Sequence, residues 1–407
     1  MTSSLSNAAP SSPMRGVQGL FLRLLSSNWT WGRLKLVLPD GSCHQLVGGQ
    51  HGHSAVLNIH SRRAAYRVLE AGDIGFAEGY MAGEWDTPDL AVLLETLVNN
   101  YDHIRRLFDG NPLMAALHWI GHRFNRNDRR GSRRNIHAHY DLGNAFYAAW
   151  LDETMTYSSA RFLRPDQPLA EAQQAKYAAL AQRIELKAGQ TVLEIGCGWG
   201  GFAEFAAREV GATVTGITIS REQHDFARRR LFEAGLADRA SVRLIDYRDM
   251  DGQFDRVASI EMFEAVGREY WPVYFDKIQS VLKPGGVAGL QIITIRDELF
   301  DEYEARTDFI QKYVFPGGVL PSEERLAPII AGAGLARGPV ERFGLDYGDT
   351  LAGWTRRFDA AWTDIRGVSR RFDERFRRLW LFYLAYCEAG FRSGRTDVIQ
   401  LALGKPS

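Results

Sequence analysis

The chain has 407 residues, a length that suits two or three domains at about 150 residues each. Apolar residues make up 45% and charged residues 24%, the balance of a globular protein with a substantial core. Lys plus Arg and Asp plus Glu both total 49, so bulk charge gives no case for a nucleic-acid partner. The longest uninterrupted apolar run, residues 379–387, falls far short of the ~20 residues that span a bilayer.

The N-terminus is rich in Ser, Ala and Pro, places its first basic residue at Arg15 and has no long apolar stretch, so no secretory leader is expected. Cys43, Cys197 and Cys387 lie far apart with no CxxC spacing. That argues against a disulfide framework or zinc ribbon and for a reducing, cytoplasmic setting. Residues 1–14 read as disordered. Val17, Leu20, Phe21, Leu24 and Leu25 then recur at helical spacing. Over 34–59 short alternating runs broken by Asp40-Gly41 and Gly48-Gly49 predict a few antiparallel strands. Residues 61–110 read as helices, with Asp86-Thr87-Pro88-Asp89 starting one before Leu90. Residues 15–120 therefore predict a small α+β domain.

Residues 121–136 carry Arg123, Arg126, Arg129, Arg130, Arg133 and Arg134 against a single acid, Asp128. The run reads either as a solvated linker or as a dock for an anionic membrane surface, at ~1 kcal/mol per residue. From residue 137 to 407 the character changes. Short β-branched runs at 191–195, 212–219, 242–245, 256–260 and 287–293 alternate with helical patterns such as 201–210 and 221–234. This alternation predicts an α/β, doubly wound, mainly parallel sheet. Residues 322–334 predict a further helix, 337–347 edge strands, and 354–395 long helices crowded with Arg and aromatic residues.

The strongest local signal is Val192-Leu193-Glu194-Ile195-Gly196-Cys197-Gly198-Trp199-Gly200-Gly201, a strand that runs into glycines and then a helix. Such glycines allow a tight turn and let a ligand approach the backbone beyond the strand's carboxyl end. The spacing is GxGxG rather than the dinucleotide GxGxxG, and the next strand ends in Thr218-Ile219-Ser220 rather than an acid. His51 and His53 sit in a turn-rich stretch without nearby acids, which predicts solvent exposure, and no metal is expected.

With Thr218-Ile219-Ser220-Arg221-Glu222-Gln223 the glycine motif resembles a class I S-adenosylmethionine (SAM) methyltransferase, and more narrowly the cyclopropane-fatty-acid synthase family. Matching pieces run in order: His139-Tyr140-Asp141, Tyr157-Ser158-Ser159-Ala160, Asp246-Tyr247-Arg248, Phe263-Glu264, Phe315-Pro316-Gly317-Gly318, Leu320-Pro321-Ser322, Asp346-Tyr347 with Thr350, and Cys387. Gly75-Phe76-Ala77-Glu78-Gly79-Tyr80 and Gly83-Glu84-Trp85-Asp86 resemble the companion N-terminal domain of longer members.

The resemblance implies SAM-dependent methylation of a cis double bond in the acyl chain of an unsaturated phospholipid, giving a cyclopropane ring. It also implies peripheral work at the inner face of the membrane and, as in other members, a homodimer. Gly196, Gly198 and Gly200, after Glu194, would border the methionine part of SAM. Thr218, Ile219 and Gln223 would hold its ribose side, and Asp246, Tyr247 and Arg248 would face the adenine. Tyr157 and Ser158 would close over the cofactor, and His139 would contact it or order its own segment. The family's base, a bound bicarbonate, would be held by Glu264, Tyr347 and the backbone at Ser159.

Chemistry adds its own demands. An alkene is a poor nucleophile and needs a strong electrophile such as a sulfonium methyl. The resulting carbocation calls for a dry, aromatic-lined site, as the 309–315 and 343–354 regions could supply, and a base to remove a proton.

Three positions depart from the family pattern: Gln291 replaces the bicarbonate histidine, Ser159 a cysteine, and Ala265 a histidine. Gln donates a hydrogen bond but relays no proton. That leaves methyl transfer in place and opens a second product, a methyl- or methylene-branched chain formed after a hydride shift. A soluble acceptor and a non-catalytic lipid-binding protein on the same fold are the remaining readings. Glu261, three residues before Glu264, could also reach the site if both follow the strand ending at Ile260, but the preferred reading is a surface carboxylate in the strand–helix loop. Cys197 is explained by its small size.

Overall fold

A computed structural model describes residues 26, 28–108 and 142–407, and the chain forms two units, 1–111 and 112–407. The N-terminal stretch 1–14, the amphipathic segment 17–25, the Arg-rich run 121–136 and the motif His139-Tyr140-Asp141 lie outside the described residues.

The first unit has a four-stranded sheet in the order β2-β1-β3-β4, formed by β1 (Trp31–Val37), β2 (Cys43–Val47), β3 (Gln50–Ile59) and β4 (Trp85–Asp86). Alternation along β1 turns Leu34 and Leu36 fully inward, and the helix Leu90–Asn99 buries Leu93 and Leu94 in the same unit. Asp89 caps that helix by accepting from the Val92 N–H at 3.0 Å.

The expectation of antiparallel strands holds for β1 with β2 but not for β1 with β3, which run parallel. Gly48 explains the difference. Its N–H donates to the Gly32 carbonyl, and a Cβ there would lie 2.4 Å from Thr30 backbone atoms. The chain thus crosses the start of β1 and adds β3 on its far side. His53 belongs to β3 and lies 3.4 Å from Glu95, an acidic partner that the local sequence did not reveal.

The second unit has a seven-stranded sheet in the order β10-β11-β9-β8-β5-β6-β7. Its strands are β5 (Thr191–Ile195), β6 (Thr213–Thr218), β7 (Ala240–Leu244), β8 (Phe254–Ile260), β9 (Leu282–Ile295), β10 (Ala336–Arg342) and β11 (Thr396–Gly404). Strands β5 to β9 are parallel, and β10 and β11 run antiparallel. Sequence periodicity missed β11. Val398, Ile399, Gln400 and Leu401 are all buried in a row, so the strand shows no alternation.

The order reverses between β5 and β8, and a sheet of this kind binds ligands beyond the strand ends at such a switch point. The helix Leu169–Arg183 packs so tightly on β9 that a Cβ at Gly289 would lie 2.5 Å from Ile184 and 2.9 Å from Leu180. Overpacking of this kind costs about 1–3 kcal/mol. Gly289→Val is therefore expected to lower the melting temperature by several degrees relative to wild type, as read by calorimetry.

Candidate active site

At the switch point β5 delivers Gly196, Gly198 and Gly200, all with left-handed φ, of +80°, +52° and +84°. The Gly196 and Cys197 N–H groups both donate to the Ile217 carbonyl at 3.0 Å, which ties the turn to β6. A Cβ at Gly198 would meet nothing within 4 Å, so space lies open above the backbone there. Beneath it Glu194 is buried, and its Oε2 has no hydrogen-bond partner. Burial pushes its carboxyl up to about 8, against the pull of Arg230. An orphaned acid beside an open glycine turn fits a cationic ligand such as SAM.

The other cofactor candidates form a rim. The Thr218 hydroxyl donates to Gln223 Oε1 at 2.9 Å, and Ser220 caps the helix Arg221–Glu233. Ile219 lies between them in sequence. Asp246 is held on both oxygens by Arg248, at 2.9 and 2.7 Å, and Arg248 in turn lies against the rings of Tyr247 and Tyr270. The Tyr157 and Tyr383 hydroxyls meet at 2.7 Å, and the Tyr157 ring packs against Tyr147, Trp150 and Trp354. Trp354 meets Tyr347 edge-on, and Tyr347 stacks on Phe391 at 4.4 Å. An aromatic wall thus joins the cofactor rim to Tyr347.

Of the two readings of Glu261, the preferred surface position fails and the position in the site holds. Glu261 sits at φ +49°, a left-handed conformation costly for a non-glycine residue, and this turns its side chain inward from the end of β8. Its Oε1 accepts from the Ser159 N–H at 2.9 Å and from Gln291 Nε2 at 2.7 Å, and its Oε2 accepts from the Tyr347 hydroxyl at 2.6 Å. These donors come from a loop, from β9 and from the helix Gly344–Ala360. Gln291 is fixed for the task, because its Oε1 accepts from Gln400 Nε2 at 3.0 Å and so its amide NH2 faces Glu261. The same helix clamps the loop: Thr350 Oγ1 accepts from the Ala160 N–H and Asp346 from the Phe162 N–H, both at 3.1 Å.

The donors expected to hold a bicarbonate are therefore engaged by a carboxylate of the chain itself. As arranged, the residues do not fit that ion. Glu264 lies apart from the group: its Oε1 accepts from the Ile293 N–H at 2.5 Å, and its Oε2 is buried without a partner. Burial, and then the charge of Glu261, push its carboxyl up to about 8. The Tyr347 hydroxyl, raised by burial and by Glu261, stays protonated and donates. Of the expected catalytic residues, Ser159, Gln291 and Tyr347 converge on one atom group, while His139 lies outside the described residues. Sequence reasoning ranked the site position of Glu261 second, and it missed Lys176 and Gln173, which grip Ser158, and Gln400. The only advance signal for Glu261 was its spacing from Glu264.

Comparison with known proteins adds independent findings. The model of the family described as mycolic acid cyclopropane synthetase matches residues 127–401. The tuberculostearic acid methyltransferase UfaA1 of Mycobacterium tuberculosis is 40% identical over 394 residues, covering 94% of this chain and 90% of that protein. The cyclopropane-fatty-acyl-phospholipid synthase of Escherichia coli K12 is 35% identical, covering 83% and 85%. The structure of mycolic acid cyclopropane synthase CmaA1 with SAH and CTAB superposes with a TM-score of 0.63 at 30% identity, covering 67% of this chain and 98% of that one.

The state of Glu264 has a measurable consequence. The folded protein keeps this proton up to about pH 8, whereas the unfolded chain releases it near 4.5. The folded form binds the extra proton across that window, so stability falls as pH rises, by about 1.4 kcal/mol per unit for one full proton. Glu264→Gln removes the titration. Its melting temperature is expected to decline less steeply than that of wild type from about pH 5 to pH 8, as read by calorimetric melts.

Proposed function

The chain belongs to the mycolic acid cyclopropane synthetase family and is a SAM-dependent methyltransferase that modifies lipids, and on that premise we propose that it methylates a cis double bond in an unsaturated phospholipid acyl chain. The observation that carries this reading is the Glu261 carboxylate, held by Ser159, Gln291 and Tyr347 beside an aromatic wall. When bound, SAM supplies an electrophilic methyl group. Glu194 and the glycine turn 196–200 hold it, Thr218, Ile219 and Gln223 border its ribose, and Asp246, Tyr247 and Arg248 line the adenine side. Tyr157 and Ser158 close the cleft.

Methyl transfer leaves a cation on the adjacent chain carbon, and the faces of Tyr157, Trp354 and Tyr347 stabilise it in a site that excludes water. Glu261 is the base. Its three donors fix the carboxylate, and burial raises its proton affinity above that of an ordinary glutamate, which suits a proton acceptor. Glu264, which retains its proton, anchors β9 through Ile293.

We infer a branched product in preference to a ring. A hydride shift moves the cation to the methylated carbon, and loss of a methyl proton to Glu261 then leaves a methylene branch (C=CH2) on the chain. Atoms and charge balance without an oxidant or reductant. A saturated methyl branch would need a hydride from a separate reductase. The name of the relative matched over 94% of this chain specifies a methyl-branched acid, and this supports the reading. Ring closure is the second reading, favoured by the Escherichia coli relative. The N-terminal unit serves substrate association. The exposed arginines Arg366, Arg370, Arg371 and Arg375, with those of 123–134, attach the protein to the anionic inner face of the membrane. Among the described residues no helix is long and apolar enough to cross a membrane.

Incubation with methyl-deuterated SAM and vesicles of unsaturated phosphatidylglycerol is expected to give acyl chains that carry a CD2 unit. Ozonolysis cleaves this product if it carries a methylene branch and spares it if a ring has formed, and absence of any labelled lipid would end the proposal. Vesicle cosedimentation is expected to weaken with salt. Glu261→Gln should lower turnover by about 100-fold or more while leaving SAH affinity nearly unchanged. Wild-type turnover should be indifferent to removal of bicarbonate. Bicarbonate dependence would displace Glu261 from the role of base.

A further inference from the structure

Lys176 has no exposed surface, yet the reaction as proposed does not use it. It projects from the helix Leu169–Arg183, one turn after Gln173, so both side chains leave the same face. Both grip one residue. Gln173 Nε2 donates to the Ser158 carbonyl at 3.0 Å, and Lys176 Nζ donates to Ser158 Oγ at 2.6 Å. The Gln400 amide donates to the carbonyl of Lys176 and to Gln291, which links this helix to the Glu261 frame.

A hydroxyl has one proton and two lone pairs. With one lone pair taken by the ammonium, Ser158 keeps its proton for another acceptor, and the ammonium makes it a stronger donor. Among the described residues no protein group receives that proton. SAM carries one anionic group, the carboxylate of its methionine part. We propose that Lys176 is a positioning residue for the cofactor: it fixes Ser158 as a proton donor to the methionine carboxylate of SAM.

The inference rests on the reading of Ser158 as a cofactor contact. Burial pulls the Lys176 ammonium down to about 7, while Glu261, Asp152 and Glu194 face it and hold it up. Loss of its proton reverses the hydrogen bond, because the neutral amine then accepts from Ser158. Affinity for the methionine part therefore weakens as pH rises through neutrality.

The test measures binding of SAH and of 5′-methylthioadenosine, which lacks the amino-acid part, by calorimetry on wild type, Lys176→Met, Lys176→Gln, Ser158→Ala and the Lys176→Met/Ser158→Ala double variant. Each single substitution is expected to weaken SAH by about tenfold, with the double variant no weaker than either. Methylthioadenosine affinity should hold in all of them. Wild type is expected to lose SAH affinity between pH 6 and 9, and Ser158→Ala to lose that pH dependence. If Ser158→Ala leaves SAH affinity unchanged, Ser158 is no cofactor contact and the premise falls. If Ser158→Ala weakens SAH while both Lys176 variants bind like wild type, the role of Lys176 alone is overturned. A parallel loss of methylthioadenosine affinity in the Lys176 variants, or additive effects in the double variant, would reduce Lys176 to a structural residue.

Discussion

The second unit is organised around one buried carboxylate. Glu261 takes hydrogen bonds from a loop N–H, a strand amide and a helix hydroxyl, and each donor comes from a separate part of the chain. A buried carboxylate without donors would protonate or turn outward. With three donors it stays, and it welds the loop at Ser159, strand β9 and the helix Gly344–Ala360 into one frame. The left-handed backbone at Glu261 is the strain that this arrangement stores.

This frame gives a common cause to two of the three departures from the family pattern. A histidine at position 291 can act as donor or acceptor according to its tautomer, whereas Gln291 accepts from Gln400 and donates to Glu261 at the same time. Ser159 contributes its backbone N–H to the carboxylate, and its hydroxyl donates instead to the Ala160 carbonyl. The change from cysteine therefore leaves the contact intact. A tethered carboxylate also differs from a bound ion in its entropy. It is present at full occupancy at any bicarbonate concentration, and its position is set by folding. Ala265 finds no comparable explanation in the structure.

Much of this was legible in the sequence because local and global signals agree. The parallel core strands combine β-branched runs with turn residues, and the GxGxG spacing marks the switch point without help from tertiary contacts. What stayed hidden depends on long-range geometry. Alternation cannot tell a parallel neighbour from an antiparallel one, so the crossing at Gly48 went unread. β11 is buried on both faces and carries no period. Glu261 looked like a loop carboxylate because a positive φ leaves no mark on composition. Nothing in the local sequence marks Lys176, for its acceptor is 18 residues away in an irregular segment.

Two glutamates three residues apart would be redundant if their surroundings were alike, and they are not. Glu261 faces donors on both oxygens, which favour its ionised form against the cost of burial. Glu264 has one backbone donor and a bare, buried second oxygen, and the charge of Glu261 works against its ionisation. When two carboxyls interact, the proton settles on the less solvated partner. Glu264 therefore holds a proton while Glu261 stays open to receive one. The negative charge of the pair is then concentrated on the single group that meets the Tyr347 hydroxyl, where it would oppose the proposed carbocation. Moving that charge to Glu264 would place it against the Ile293 backbone, away from the Tyr347 hydroxyl and the frame that fixes the proposed base.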